Sequence, residues 1–121
     1  MIFYGYNKED EYNLTGLISH DLGKAWSEPF LVPVAKIARN PQVGCLNGHY
    51  ILHGRSENAE NFVFYHSEDG IHWDNGTIVS ELLDGKPRRG CYYSNHLVIR
   101  GADGIDRMRV QYSEQYYPNT G

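Results

Sequence analysis

The chain has 121 residues, enough for one domain with a modest core. Its formal net charge of −4 gives no basic surface, so we expect no nucleic-acid partner. The lack of a long apolar stretch predicts neither a membrane span nor a signal peptide. Ten Tyr and thirteen Gly residues favour an all-β protein rich in turns. The location stays open, since a cytoplasmic protein and one exported by another route, secreted or in a virion, both fit.

Short apolar runs separated by turn residues predict three successive groups of strands. Pro33 places the last strand of the first group at a sheet edge, because proline cannot donate a ladder hydrogen bond. Asn47-Gly48 is a strong hairpin signal, and Ser94-Asn95 takes the corresponding place in the third group. The predicted strands are 2–6, 14–19 and 30–34; 43–46, 49–54, 62–66 and 77–81; and 90–93, 96–100 and 108–112.

Two turn segments, residues 19–26 and 67–73, share a pattern of Ser, Asp, Gly and Trp. Their Trp residues lie 47 positions apart, a period typical of repeat architectures. Cys45 and Cys91 lie 46 apart, each after a Gly, and so occupy one position in successive repeats. The single domain, 1–121, therefore divides into repeats of about 1–38, 39–86 and 87–121.

The shared pattern predicts a fastened hairpin corner. The Asp carboxylate and the Ser hydroxyl accept hydrogen bonds from backbone N–H groups two or three residues on, and the Gly supplies a positive φ. The Trp is expected to fold over the turn, bury its ring and direct its indole N–H to a partner. The residues with these structural roles are Ser19, Asp21, Gly23, Trp26, Ser67, Asp69, Gly70 and Trp73.

Residues 19–26 resemble the Asp box, Ser-x-Asp-x-Gly-x-x-Trp, of sialidases and related bacterial-neuraminidase-repeat β-propellers. Residues 67–73 are similar, with one residue fewer between Asp and Gly. The resemblance implies an all-β fold, a partial β-propeller of about two and a half four-stranded blades. Closed propellers need about 4–8 blades. We therefore expect either a homodimer that completes a ring of about six blades, or a longer chain of which this is a segment.

Blade topology predicts which loops share a face. Because strands alternate in direction within a blade, the box turns lie on one face and the functional loops on the opposite one. The functional loops are rich in charged residues. They are expected at 7–13, 35–41, 55–61, 82–89 and 102–107.

The resemblance also implies a binding chemistry. Sialidases hold a substrate carboxylate with three Arg residues, and they use a Tyr nucleophile assisted by a Glu, with an Asp as acid or base. Arg39 resembles the Arg that opens a sialidase blade, and Arg55 and Arg100 end corresponding strands. No catalytic residue is assigned, and each Arg has the alternative interpretation of a solvated or ion-paired surface residue. The ligand-binding candidates are Arg39, Arg55, Arg88, Arg89, Arg100, Asp103, Asp106 and Tyr92.

Three functions follow as hypotheses. The first is a module that binds a glycan through this loop face. The second is a glycoside hydrolase of the sialidase type, active only in the assembled ring. The third is a structural or assembly propeller that is not catalytic, and fold alone does not choose among the three.

Histidine and cysteine add little chemistry. The six His residues have no metal-ligand spacing, so we expect neither a metal nor a cofactor. Cys45 and Cys91 are expected to be buried free thiols, with a disulfide as the alternative if their strands meet.

Overall fold

The computed structural model describes residues 2–7, 13–56, 61–79 and 93–112, with side chains from residue 14 onward. The protein is all-β, and within these ranges it forms nine strands in three antiparallel sheets and no helix. The described part therefore offers no helix of the length and apolar character that a membrane span needs. The strands are β1 Ile2–Asn7, β2 Asn13–Ile18, β3 Phe30–Val32, β4 Arg39–Leu46, β5 His49–Arg55, β6 Phe62–Ser67, β7 Thr77–Val79, β8 Ser94–Arg100 and β9 Asp106–Tyr112.

Each sheet pairs its strands in chain order. The first sheet is β1-β2-β3, the second is β4-β5-β6-β7, and the third is β8-β9. Asn47 and Gly48 join β4 to β5 with φ angles of 50° and 79°, the two positive values that a tight hairpin turn of the mirror-image type requires. The hairpin predicted at Asn47-Gly48 is therefore confirmed.

The predicted strands differ from the observed ones mainly at their ends. Pro33 lies just beyond β3, which is an edge strand as expected. β4 begins four residues before the predicted 43–46, because a bulge between Arg39 and Gln42 absorbs Asn40 and Pro41 without breaking the pairing with β5. The strand predicted at 90–93 falls mostly outside the described residues, and Tyr93 is not in a strand.

An apolar core joins the first two sheets. Leu14 of β2 and Val32 of β3 are 1% exposed, and they pack with Leu52, Val63 and Tyr65 of the second sheet. Side chains alternate between the faces of a strand, so one face of β5 and β6 supplies this contact. The first contact between sheets is therefore a conventional hydrophobic core.

A tyrosine fixes the connector between the first and second sheets. The Tyr65 hydroxyl donates a hydrogen bond to Lys36 O at 2.6 Å and accepts one from Lys36 N at 2.7 Å. The Lys36 ammonium in turn donates to Asn75 O, next to the second box turn. Burial raises the pKa of Tyr65, so its hydroxyl stays protonated and remains a donor. The connector that leads into β4 is therefore held to β6 and to the turn that precedes β7.

The third sheet packs on the opposite face of the second sheet. At Gly44 of β4, any added Cβ would lie 2.5 Å from His96 Nε2 and 2.8 Å from Met108 Cε, so the absence of a side chain admits β8 and β9. His53 of β5 bonds to His96, and the ring of Phe62 of β6 contacts that of Tyr112 in a tilted arrangement with ring centroids 5.3 Å apart. The second sheet is thus covered on both faces.

The direction of the third sheet corrects a sequence prediction. Ser94 and Asn95 belong to β8, so the turn predicted there is wrong. β8 lies beside β4 and runs in the same direction. Gly44 of β4 lies against His96 near the start of β8, and Asn47, just after β4, bonds to Asp106, the cross-strand partner of Arg100 at the end of β8. The sequence predicted that 96–100 would correspond to 49–54 of the second sheet, a strand that runs the other way. Contacts between distant residues decided the direction.

Candidate functional site

An arginine pair marks one end of the second sheet. Arg39 and Arg55 are direct cross-strand partners on β4 and β5, both half-buried, with their Nε atoms buried. Gly54 positions them, because a Cβ there would lie 2.7 Å from Arg39 O and would block the backbone that enters β4. Arginines paired across neighbouring strands place two positive charges at one end of the sheet, which favours an anionic ligand.

The bulge next to Arg39 adds a polar atom. Asn40 adopts a φ of 51°, which Asn tolerates better than most residues. Its buried Oδ1 atom accepts no hydrogen bond within the described residues. A buried acceptor without a donor costs free energy unless a ligand or water supplies one. The bulge therefore offers an acceptor beside the arginine pair.

Aromatic and polar groups surround this end. Phe62 is the cross-strand partner of Arg55, and its ring contacts Tyr112 of β9. The loop after Arg55 is closed by two hydrogen bonds, from Ser56 N to Asn61 O at 2.9 Å and from Asn61 N to Ser56 Oγ at 3.3 Å. We call Arg39, Arg55, Asn40, Phe62 and Tyr112 the arginine end of the second sheet.

A histidine pair lies next to the arginine end, between β5 and β8. His53 is fully buried, and its Nδ1 lies 2.7 Å from Ser94 Oγ while its Nε2 lies 2.9 Å from His96 Nδ1. Burial, and then the charge that His96 carries when protonated, lower the pKa of His53 to about 4. Sequence reasoning missed this pair. His53 and His96 are 43 residues apart on different sheets, and no local pattern links them.

The remaining described candidates lie at the other end of the sheets. Asp106 N donates to Asn47 Oδ1 at 2.8 Å, which places the 101–105 turn beside the hairpin turn at Asn47. Arg100 bonds to Asp106, and Arg107 bonds to Asp103 at 2.7 Å, which lowers the pKa of Asp103. The expectation that 102–107 shares a face with 35–41 and 55–61 is therefore wrong. The structure brings Arg39 and Arg55 together and separates them from Arg100, Asp103 and Asp106.

Three candidates cannot be placed. Arg88, Arg89 and Tyr92 lie outside the described residues, as do the loop at 82–89 and most of the loop at 7–13. Their assignment to a ligand site stays a prediction from the sequence.

The first box turn is held by the bonds its sequence predicts. Ser19 Oγ donates to Asp21 Oδ1 at 2.8 Å and accepts from Gly23 N at 2.8 Å. Asp21 Oδ1 accepts from Ala25 N at 2.9 Å, and these bonds lower the pKa of Asp21. The Trp26 indole N–H donates to Gly23 O at 3.1 Å. The ring is nevertheless 41% exposed, so the expected burial of Trp26 is wrong.

The second box turn repeats the arrangement with one residue fewer. Ser67 Oγ accepts from Gly70 N at 2.8 Å, and Asp69 Oδ1 accepts from both Ile71 N and His72 N at 2.8 Å. The His72 side chain also contacts Asp69 Oδ2, and this bond above all depresses the pKa of Asp69. In this turn the Trp packs as predicted, because Trp73 is half-buried against the core.

Both turns are closed by a clasp that the sequence did not reveal. The residue after each Trp donates its backbone N–H to the carbonyl of the residue before each Ser: Ser27 to Ile18 at 2.9 Å, and Asp74 to His66 at 3.0 Å. The side chains of Ser27 and Asp74 accept a hydrogen bond from the same two residues, at 3.0 and 3.2 Å. The Ser and Asp side chains of both boxes are thus engaged in the turns themselves, which favours a structural role.

The described part of the chain places several of the His, Cys, Asp and Glu side chains. No three His, Cys, Asp or Glu side chains there lie close enough together to hold a metal ion. Cys45 is a free, exposed thiol, so the expectation that it is buried is wrong, because its side chain points away from Gly44 and the third sheet. Cys91 lies outside the described residues.

Comparison with known proteins gives no relative: no family model, no curated protein and no solved structure matches this chain. The resemblance to sialidases rests on the two turn segments alone.

Proposed function

We propose that the chain is a carbohydrate-binding module of the sialidase-like β-propeller type, and that the arginine end binds the carboxylate of an acidic sugar. The observation that carries the proposal is the cross-strand pair of Arg39 and Arg55. The planar fork of a guanidinium matches a carboxylate with two parallel hydrogen bonds, and two forks side by side favour a compact anion.

The surroundings of the pair suit a sugar better than a simple anion. The ring of Tyr112, which is 36% exposed and contacts the buried Phe62, offers an apolar surface for the C–H face of a sugar ring, and Asn40 Oδ1 offers an acceptor for a hydroxyl. A carboxylate, a hydroxyl and an apolar face occur together in sialic and uronic acids. We therefore propose a terminal acidic monosaccharide as the ligand.

The propeller part of the proposal is supported by the way the sheets stack. All three are antiparallel with strands in chain order, and β8 follows β4 in direction, as the innermost strands of successive blades do. On this basis the third blade begins at β8 rather than at residue 90. β8 and β9 are then the innermost and the second strand of the third blade, in place of the two middle strands predicted from the sequence.

We further propose that a second copy of the chain continues the ring. Leu31 at the free face of the first sheet is 62% exposed, and Leu97 and Ile99 on the free face of the third sheet are 59% and 44% exposed. Within the described residues these apolar side chains are exposed at both ends of the stack, which fits pairing between the third sheet of one copy and the first sheet of another.

The mass in solution tests this assembly. Sedimentation equilibrium is expected to give twice the chain mass of 13.9 kDa. The double variant Leu97→Glu and Ile99→Glu is expected to give the single mass, since buried charges oppose association. A wild-type chain that stays at the single mass at high concentration would remove the proposed ring of two copies.

Calorimetric titration tests carbohydrate binding. We expect an α-linked sialoside or a glucuronide to bind, and a neutral galactoside not to bind. Replacing Arg39 or Arg55 by Ala is expected to weaken binding by about 10-fold or more, because a charge-assisted hydrogen bond contributes about 1.5–3 kcal/mol. Arg107→Ala at the opposite end is the matched control, and it should bind like the wild type.

The same titration distinguishes the alternatives. Release of free sialic acid from the sialoside would favour the glycoside hydrolase. No binding to any acidic glycan by the folded wild type would overturn the proposal and favour a purely structural module.

A further inference from the structure

The contact between the second and third sheets depends on a buried histidine pair. His53 has no exposed surface, stacks on Phe64 with ring centroids 5.6 Å apart, and reaches across the interface to Ser94 and His96. Both of its ring nitrogens are within hydrogen-bond distance of groups on β8. This chain of side chains is the polar centre of the interface.

The interface accommodates His53 and His96 readily when both rings are neutral, and poorly when either ring carries a positive charge. Between two neutral imidazoles, one nitrogen donates and the other accepts, which suits the 2.9 Å separation of His53 Nε2 and His96 Nδ1. Protonation of His53 would place a charge on a ring that has no exposed surface, beside Phe64 and opposite His96. Two protonated rings at this distance would repel each other.

We propose that acidification releases the β8–β9 hairpin from the second sheet while the first and second sheets stay joined. The core cluster between the first and second sheets contains no histidine: its buried members among the described residues are Leu14, Val32, Ala38, Leu52, Val63 and Tyr65. Release would uncover the face of β4 and β5 that now packs on β8, and would withdraw Tyr112 from the arginine end. The inference rests on the interface and does not depend on carbohydrate binding.

The sign of the effect follows from the two states of His53. The pKa of His53 is lowered from 6.5 to about 4 in the closed interface, and it returns towards 6.5 when the hairpin opens and water reaches the ring. The open state therefore binds more protons between these values. The contact therefore has its full stability above about pH 6.5 and loses stability as the pH falls towards 4. Over this range the equilibrium constant for opening of the hairpin rises by up to about tenfold for each pH unit.

Other ionisable groups share this face of the strands. By strand alternation and pairing they lie on β4, β5, β6, β8 and β9 around His53. They are Arg39, His49, Arg55, His66, His96, Arg100, Asp106 and Tyr112. The expected effect is therefore attributed to His53 only if removing its titration removes the pH dependence.

Hydrogen exchange of the full chain tests the proposal. After correction for intrinsic exchange rates, amides of β8 and β9 are expected to lose about 10-fold or more in protection between pH 7 and pH 5. Amides in the centre of β5 and β6 that bond to each other should change far less. His53→Gln keeps a hydrogen-bonding side chain but does not titrate, and it should remove most of this pH dependence.

Matched variants complete the experiment. His20→Gln changes an exposed histidine of the first box turn and should keep the wild-type pH dependence. Should His53→Gln fail to fold, His53→Asn serves as the second variant that does not titrate, with the same expected loss of pH dependence. Equal pH dependence of all three sheets, or an unchanged loss of protection in the variants that fold, would overturn the proposal.

Discussion

Replacing Leu52 by Ala is expected to lower the free energy of unfolding by about 2–5 kcal/mol. Leu52 is fully buried at the centre of the core between the first and second sheets, next to Val63 and Tyr65. The substitution removes apolar contacts and leaves a cavity that β-sheets on two sides cannot readily close. Urea unfolding followed by tryptophan fluorescence measures the change.

The control for this prediction is an exposed leucine. Leu22 is 86% exposed in the first box turn, so Leu22→Ala should change the free energy of unfolding by no more than about 0.5 kcal/mol. Equal effects of the two substitutions would mean that the two sheets do not share the core described above.

Replacing Gly44 by Val is expected to separate the third sheet from the second. The new side chain would occupy the space of the His96 ring and the Met108 methyl group, and His96 is itself held by His53. Overpacking of this kind costs about 1–3 kcal/mol. We expect limited proteolysis to cut within residues 93–112 of the variant well before it cuts the second sheet.

A relief variant makes this test specific. Met108→Ala in the Gly44→Val background opens part of the space again, so it should restore some resistance to proteolysis. Resistance of residues 93–112 in Gly44→Val equal to that of the wild type would contradict the proposed packing of β8 on β4.

Local patterns predicted the strands and the turns well. Asn47-Gly48 has the positive φ angles of its hairpin type, and the Ser and Asp of both box turns bond to the backbone as their spacing indicates. These features depend on residues within about ten positions of each other, so a single sequence contains the information. The pairing of Arg39 with Arg55 follows from the same hairpin register.

Local sequence patterns did not predict the contacts between sheets, because these contacts join residues that are far apart in the sequence. The repeated Gly-Cys spacing indicated that 96–100 corresponds to 49–54, but the bonds between Asn47 and Asp106 reverse that direction. The same reversal moves Arg100, Asp103 and Asp106 away from the arginine end. The exposure of Trp26 and Cys45 likewise depends on what packs above them, which composition does not reveal.

The most direct test of the account is to locate a bound acidic sugar by a nuclear magnetic resonance titration. With sialic acid as the probe, we predict that backbone amide shifts concentrate at Arg39, Asn40, Arg55 and Tyr112. Amides of the box turns and of the 101–105 turn should stay unchanged. Shifts confined to those turns, or no shifts at saturating sugar, would contradict a carbohydrate site at the arginine end.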